Sequence, residues 1–152
     1  NSTDGFHVTS PHPDGIGAIF CMEHSLQVAG IKPEEIDYIN AHGTSTPKGD
    51  VIEVKAIKTL FGEHAYKLAV SSTKGATGHL MGAGGVTETI ACVKAVEEDI
   101  LPPTLNQINP DPDCDLDFVP NAARHSVVNT AMCNAFGFGG QNASLIVRKY
   151  KG

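Results

Sequence analysis

The stretch from Tyr38 to Gly62, YINAHGTSTPKGDVIEVKAIKTLFG, contains a complete strand, loop and helix. Residues 38–41 are mostly apolar and predict a short buried strand. A turn of small and hydroxylated residues follows, and Asp50 lies where it would cap a helix over residues 51–61 that ends at a glycine. The histidine of this turn, His42, therefore lies in a strand-to-helix connection.

The same layout recurs directly downstream. Residues 68–72 predict a second buried strand, SSTKGATGHLMGAGG is a long glycine-rich connection, and residues 86–97 predict a helix. Upstream, residues 16–29 have apolar side chains at helical spacing and predict a helix that ends at Gly30. Two successive strand–loop–helix units indicate an α/β layer fold.

The C-terminal third has a different character. Residues 100–121 contain five prolines and predict an extended surface connection, because proline cannot continue a helix or donate to a sheet. Residues 127–134 and 143–149 predict two strands around FGFGGQN. We expect these strands to form an antiparallel hairpin that closes the sheet.

Candidate functional residues lie in three loops, namely AHGTSTP (41–47), STKGATGHLMGAGG (72–85) and NAFGFGG (134–140). In open α/β sheets ligands bind where strand ends open into loops, so we expect these loops to line one pocket. They would contribute His42, His79 and Lys74, with backbone N–H groups exposed by the glycines. A single histidine beside glycine is usually a turn residue and a lysine is usually solvated. Two histidines in matching loops, one with a nearby lysine, favour a functional site.

Composition and charge exclude several classes of function. The formal net charge is -6, the pI is near 5.5 and the basic residues are scattered, so nucleic acid is not an expected partner. No apolar run approaches the ~20 residues of a membrane-spanning helix, so no membrane is expected either. The four cysteines are far apart, which predicts neither a metal site nor disulfides and favours a reducing, cytosol-like compartment. The glycine-rich loops match no nucleotide motif, although a phosphate-binding regulatory domain stays as an alternative.

The segments NAHGTSTPKGD, SSTKGATGHLMGAGG and NAFGFGGQNASLIVRK, in this order, resemble the C-terminal half of two-histidine β-ketoacyl-acyl carrier protein synthases. PPTLNQINPDPDCDLDFVPNAAR resembles the elongating type, synthase II, and the resemblance covers nearly the whole chain from His7 onward. It implies a thiolase-like α/β fold, a mixed five-stranded sheet with helices on its faces. Residues 1–152 would form one C-terminal half-domain of a layered αβαβα structure. The implied reaction is a decarboxylating Claisen condensation, in which malonyl-acyl carrier protein lengthens an acyl thioester during fatty-acid elongation.

The resemblance implies catalytic roles for five residues. His42 and His79 match the catalytic histidines, whose N–H groups stabilise the enolate oxygen that forms when carbon dioxide leaves. Lys74 matches a lysine beside the second histidine, and Glu88 matches the carboxylate that pairs with it and orders the site. Phe138 matches a gating aromatic residue, and its backbone N–H would supply half of an oxyanion hole.

The resemblance also implies how substrates are held. Thr44 and Thr46, and similarly Thr9, match hydroxyls that hold the pantetheine amides of the carrier arm. Gly139 and Gly140 belong to a mobile loop whose amides face the ligand. No cofactor is implied, since the substrates arrive on the phosphopantetheine of acyl carrier protein. The implied partners are acyl carrier protein, the N-terminal half of the enzyme and a second copy in a homodimer, in the cytoplasm.

The family's nucleophilic cysteine has no match among the four cysteines. Cys21 and Cys92 fall in predicted helices, Cys133 in a predicted strand and Cys114 in the proline-rich connection, and none has the helix-start setting of an activated thiol. The chain begins without methionine, so we expect a fragment that is inactive alone. The alternative function is a non-catalytic partner of the chain-length-factor or polyketide-synthase type, and the paired histidines favour the enzyme.

Overall fold

The computed structural model describes residues 1–150 and 152, and a mixed five-stranded sheet lies at its centre. The strands along the chain are β1 (Ser2–Thr3), β2 (Tyr38–Asn40), β3 (Ala69–Ser71), β4 (Ile100–Leu101), β5 (Arg124–His125), β6 (Thr130–Phe136) and β7 (Gln141–Arg148). The central sheet has the order β1-β7-β6-β2-β3, and β4 pairs with β5 apart from it. Strand β2 is parallel to β3 and β6, whereas β7 is antiparallel to β6 and β1. The predicted mixed sheet and closing hairpin are therefore confirmed.

The helices are α1 (Ile16–Ala29), α2 (Gly49–Phe61), α3 (Lys74–Thr77) and α4 (Gly84–Glu98). Helix α1 has the predicted bounds and ends at Gly30, whose φ of 65° lets its N–H cap the last turn. Short 3₁₀ turns occur at Pro33–Glu35, Gly62–Tyr66, Met81–Ala83 and Phe138–Gly140. The two predicted strand–loop–helix units are thus present, as β2 with α2 and as β3 with α4.

Alternating strand residues build a core on each face of the sheet. Ile39, Val70 and Met132 point to the face that α1 and α2 cover, and they join one buried cluster. Their neighbours Tyr38, Ala69 and Ala131 join a second cluster with α4. Because side chains alternate along a strand, each of these short buried strands supplies both cores, which explains why they are apolar throughout.

Parallel pairing places the candidate loops together. Strands β2, β3 and β6 run in the same direction, so their carboxyl ends lie at one edge of the sheet. The first histidine loop (residues 41–48) leaves β2 and the second histidine loop (residues 72–83) leaves β3, while the turn between β6 and β7 opens beside them. This edge is where ligands bind in open α/β sheets.

The prediction that Asp50 caps α2 is wrong. The helix already begins at Gly49, whose N–H donates to the Thr46 hydroxyl at 3.2 Å. Asp50 lies inside the first turn, and its carboxylate accepts the N–H of Ser45 at 3.1 Å. Since Ser45 has a positive φ of 59°, this contact braces a backbone conformation that serine rarely adopts.

Two further expectations need correction. The glycine-rich connection after β3 is partly helical, because α3 and the turn Met81–Ala83 run directly into α4, which begins at Gly84 instead of Val86. The proline-rich connection is also more than a surface segment, since Leu116 and Val119 are buried and Asp117 bridges to Ala69.

Within the described residues, no helix combines the length and apolarity needed to cross a membrane.

Candidate active site

A cavity of about 700 Å³ lies at the carboxyl edge of the sheet, where the three loops meet. The sequence-predicted residues that line it are His42, His79, Lys74, Glu88, Phe138, Thr9, Thr44, Thr46 and Gly140. Gly139 does not line it; its N–H donates to the carbonyl of Val8 at 2.7 Å instead. Nine of the ten predicted site residues are therefore brought together in one cavity.

The two histidines lie close to each other in this cavity. Their ring centroids are 5.7 Å apart and the ring planes meet at 82°, so one edge faces the other ring. His42 also packs against Phe136 of β6, at 5.7 Å between centroids. Burial, together with the positive charges of Lys74 and His79, lowers the pKa of His42 to about 4. His42 is consequently a neutral imidazole at neutral pH.

His79 is more exposed and has a defined tautomer. The N–H of Met81 donates to its Nδ1 at 3.2 Å, so Nδ1 is an acceptor. In the neutral ring the proton is then assigned to Nε2, which becomes a donor. Met81 has a positive φ of 51°, an uncommon conformation for a residue with a side chain. The second histidine loop thus prepares one N–H donor.

Lys74 and Glu88 form a buried ion pair beside the histidines. The Nζ of Lys74 donates to Oε1 of Glu88, and the two side chains are only 7% and 4% exposed. Lys74 begins α3 and Glu88 lies one turn into α4, so the pair fixes the second histidine loop against that helix. A buried ammonium is tolerated because a carboxylate accompanies it.

Glu53 is a site residue that the sequence reading missed. Its carboxylate accepts the N–H of His42 and the N–H of Gly43, both at 2.9 Å, and an amide N–H of Asn134 at 3.2 Å. Burial raises its pKa, while these donors act in the opposite direction. The sequence does contain a sign of this role. Glu53 and Ile57 are four residues apart and share one face of α2, and that face is buried. A carboxylate on a buried face requires partners, and here they are the amides of the first histidine loop.

The predicted substrate-binding threonines all line the cavity. Thr44 and Thr46 approach to 3.4 Å between their Oγ1 atoms, and Thr46 also accepts the N–H of Gly49. Thr9 is exposed, and its N–H donates to Nδ1 of His7 at 3.1 Å. These hydroxyls face a cavity large enough for an extended chain with amide groups.

The turn between β6 and β7 lines the cavity as well. Phe138 is 71% exposed at the cavity, and Gly139 and Gly140 both have a φ of 74°, which only glycine adopts readily. The carbonyl of Gly140 accepts the N–H of Asp4 at 3.1 Å. The aromatic ring therefore lies at the cavity on a turn that the N-terminal segment holds.

The cysteines occupy the predicted elements and lie outside the cavity lining. Cys21 is in α1, Cys92 in α4 and Cys133 in β6, all three buried. Burial raises the pKa of Cys21, and it raises the pKa of the half-buried Cys114 to about 11. A hydrogen bond with Cys133, together with burial, raises the pKa of Cys92. The same hydrogen bond lowers the pKa of Cys133, but Cys133 is buried. A nucleophile needs both a lowered pKa and access, so the four cysteines have the properties of structural thiols.

The arrangement has a specific chemical capacity. Two imidazoles converge on one cavity, and a neutral imidazole retains one N–H donor. A buried ammonium lies nearby with its counter-ion. Such a site stabilises negative charge that develops on an oxygen atom, without a proton having to be transferred first.

Comparisons with known proteins agree with this geometry. Residues 1–107 match the family described as Beta-ketoacyl synthase, C-terminal domain. The 3-oxoacyl-[acyl-carrier-protein] synthase 2 of Coxiella burnetii is 55% identical over 148 residues, which cover 97% of this chain and 36% of that protein. The chain therefore spans about a third of the length of the curated relatives it matches.

Solved structures of ketosynthases have the same fold. A type II polyketide ketosynthase, bound to the hexaketide and in complex with its acyl-carrier protein, superposes with a TM-score of 0.95 at 35% identity, over 98% of this chain and 36% of that one. The ishigamide ketosynthase/chain length factor gives a TM-score of 0.91 at 40% identity, over 99% and 36%. The predicted thiolase-like α/β fold is confirmed, and the chain belongs to the β-ketoacyl synthase family.

Proposed function

We propose that this chain supplies the histidine half of the active site of a 3-oxoacyl-acyl carrier protein synthase of the elongating type. The complete enzyme would join an acyl group held on a cysteine to malonyl-acyl carrier protein. Carbon dioxide leaves, the freed electron pair forms the new carbon–carbon bond, and the cysteine thiolate is released. One observation carries the proposal: two imidazoles lie 5.7 Å apart in a cavity that also contains the buried Lys74–Glu88 pair.

The histidines would act at the decarboxylation step. When carbon dioxide leaves the malonyl thioester, negative charge develops on the thioester oxygen, and N–H donors from His42 and His79 would stabilise it. The lowered pKa of His42 suits this role, because the ring is already neutral and no proton has to be lost at neutral pH. The Lys74–Glu88 pair would order the second histidine loop and add positive potential beside the oxygen.

The remaining cavity residues would bind the carrier arm. Thr44 and Thr46, with Thr9 near the entrance, would hydrogen-bond the amides of phosphopantetheine, and Phe138 would gate access to the cysteine. Gly140 would let the turn approach the ligand. The reaction needs no cofactor of its own, because acyl carrier protein delivers both substrates as thioesters.

The proposed partners are acyl carrier protein, the N-terminal half of the enzyme and a second copy of it, in the cytoplasm. Relatives named synthase 2, at 49–55% identity, support the elongating type. A chain-length-factor-like partner without chemistry is less well supported, because it would not require two imidazoles beside a buried ion pair. The placement of all four cysteines supports the proposal that this chain alone forms no acyl-enzyme.

Substitutions of the histidines in the full-length synthase that carries this segment test the proposal. We expect His42→Ala and His79→Ala each to lower the rate of malonyl decarboxylation by about 100-fold or more, as removal of an oxyanion donor does. Acylation of the cysteine should persist at least in part. His24→Ala is the control, since His24 is exposed on α1, stacks on Phe20 and lies outside the cavity. Decarboxylation at the parental rate in either cavity variant would refute the assigned role.

A further inference from the structure

The two histidine loops are joined by the side chain of Ser72. Its Oγ donates to the carbonyl oxygen of Gly43 at 2.7 Å. Gly43 directly follows His42, and Ser72 precedes Lys74 by two residues in the loop that also holds His79. A single hydroxyl group therefore links the backbone beside one imidazole to the loop that carries the other.

The backbone of Gly43 lies so close to Ser72 that no side chain would fit between them. Gly43 has a φ of 38°, and a Cβ added there would lie 2.7 Å from Cβ of Ser72 and 3.0 Å from its Oγ. Real Cβ atoms do not approach that closely, so glycine is required both for the conformation and for the contact.

The position of the His42 ring depends on this backbone. Nδ1 of His42 is buried and has no hydrogen-bond partner within residues 1–150. Its main chain, in contrast, is held from two sides: Glu53 accepts the N–H groups of His42 and Gly43, and Ser72 donates to the carbonyl of Gly43. Since no side-chain bond orients the ring, these main-chain bonds and the packing against Phe136 must do so.

Ser72 is itself fixed by the proline-rich connection. Its N–H donates to Oγ1 of Thr104 at 3.1 Å, and Ser72 is only 9% exposed. Thr104 is held in turn, because its N–H donates to Val119 and its carbonyl accepts the N–H of Asn121. The backbone of Ser72 is consequently held in place, and its hydroxyl can fix the position of the Gly43 carbonyl.

We infer that Ser72 is a positioning residue, which sets the separation and angle of the His42 and His79 rings by tying their loops together. This inference rests on the proposed function for its catalytic consequence. The two rings must converge on one oxygen, and a displacement of about 1 Å in such a pair costs up to about 100-fold in rate. Ser72 acts through His42 and does not contact the substrate in this scheme.

Ser72→Ala in the full-length synthase tests the inference, with Ser71→Ala as the matched control. Ser71 is the preceding residue and is also buried, and its hydroxyl shares a hydrogen bond of 2.8 Å with Tyr38 instead of bonding to a histidine loop. We expect Ser72→Ala to lower kcat for malonyl decarboxylation about 10-fold to 100-fold with little change in KM. Ser72→Thr, which keeps the hydroxyl, should recover most of the rate, and Ser71→Ala should stay within about threefold of the parent. Parental kcat in Ser72→Ala, or an equal loss in Ser71→Ala, would overturn the inference.

A measurement on the 152-residue chain separates this inference from the proposed function. NMR of the His42 ring and of the Gly43 amide should show shifted signals and faster amide exchange in Ser72→Ala, and unshifted signals in Ser71→Ala. Unchanged His42 and Gly43 signals in Ser72→Ala would refute the tie between the loops. If the signals shift while the parental full-length protein does not decarboxylate malonyl thioesters, the tie stands and the proposed function fails.

Discussion

The surroundings of His42 change the chemistry of its imidazole. Burial removes it from water, and the charges of Lys74 and His79 oppose a proton on it, which together lower its pKa to about 4. A histidine with the ordinary pKa of about 6.5 would be partly protonated near neutral pH. The fold therefore keeps this ring neutral, and it does so through the same loop packing that brings the two rings together.

This lowered pKa predicts how stability depends on pH. The unfolded His42 binds a proton near pH 6.5 and the folded one only near pH 4, so the unfolded state takes up more protons between these values. The contribution of His42 is fully present above pH 6.5 and is lost as the pH falls toward 4. From about pH 7.5 to about pH 5, we expect His42 alone to lower the free energy of unfolding by about 2 kcal/mol. Denaturant titrations of the chain and of His42→Gln measure it, and an equal pH dependence in both would contradict the shifted pKa.

Glu53 gives a second prediction about a single residue. In Glu53→Gln the amide has one acceptor oxygen for three donors, and its own NH₂ group faces the N–H of His42 or Gly43. One buried donor loses its partner, so we expect a loss of about 1–3 kcal/mol in the free energy of unfolding. Glu63→Gln, at an exposed position just after α2, should leave stability within about 0.5 kcal/mol. Equal stabilities of the two variants by denaturant titration would show that Glu53 does not brace the first histidine loop.

The Lys74–Glu88 ion pair joins helix α3 to helix α4. Removing one partner leaves an uncompensated buried charge, so Lys74→Met is expected to cost about 3–5 kcal/mol of unfolding free energy. The double variant Lys74→Met/Glu88→Leu removes both charges and is expected to lie within about 1 kcal/mol of the parent.

The control for this cycle is a solvent-exposed pair on the same helix. Lys94 and Glu97 of α4 form an ion pair whose side chains are 59% and 57% exposed. Lys94→Met should change stability by less than about 0.5 kcal/mol, because water screens such a pair. Additive losses for Lys74→Met and Glu88→Leu in the double variant would show that the charges do not depend on each other.

The order of the elements could be predicted from the sequence, because α1, β2 and β3 have clear apolar patterns and end at strong signals such as Gly30. The start of α4 could not, since Gly84 and Gly85 have low helix propensity and are held in the helix by the preceding turn. The two-residue strand β1 was also missed, because its pairing with β7 is set by a tertiary contact and not by its own residues. Local patterns therefore identified the frame but not the segments that depend on distant partners.

In the candidate site, too, residues within local motifs could be predicted and residues that act through distant contacts could not. Motifs in the loops identified His42, His79 and Lys74, and the parallel strands bring them together. Glu53 and Ser72 escaped notice because each acts through main-chain atoms of another loop, which leaves no spacing pattern in the sequence. Gly139 lies outside the cavity lining for a similar reason: its N–H donates to the carbonyl of Val8, a residue far away along the chain.

Taken as a single molecule, this chain has two imidazoles that meet in one cavity and four thiols that are poorly suited to attack a thioester. Cys21, Cys92 and Cys133 are buried, and the pKa of Cys114 is raised to about 11 by burial. A thiolate is the attacking species, so less than about 1% of Cys114 is reactive near pH 8. We expect the native chain, incubated with an acyl-acyl carrier protein, to show no stoichiometric gain of acyl mass by mass spectrometry. Ellman's reagent should react slowly with Cys114 alone until denaturant exposes the other three, and Cys114→Ser should abolish that slow phase. Stoichiometric acylation of any of the four thiols would show that the chain contains its own nucleophile.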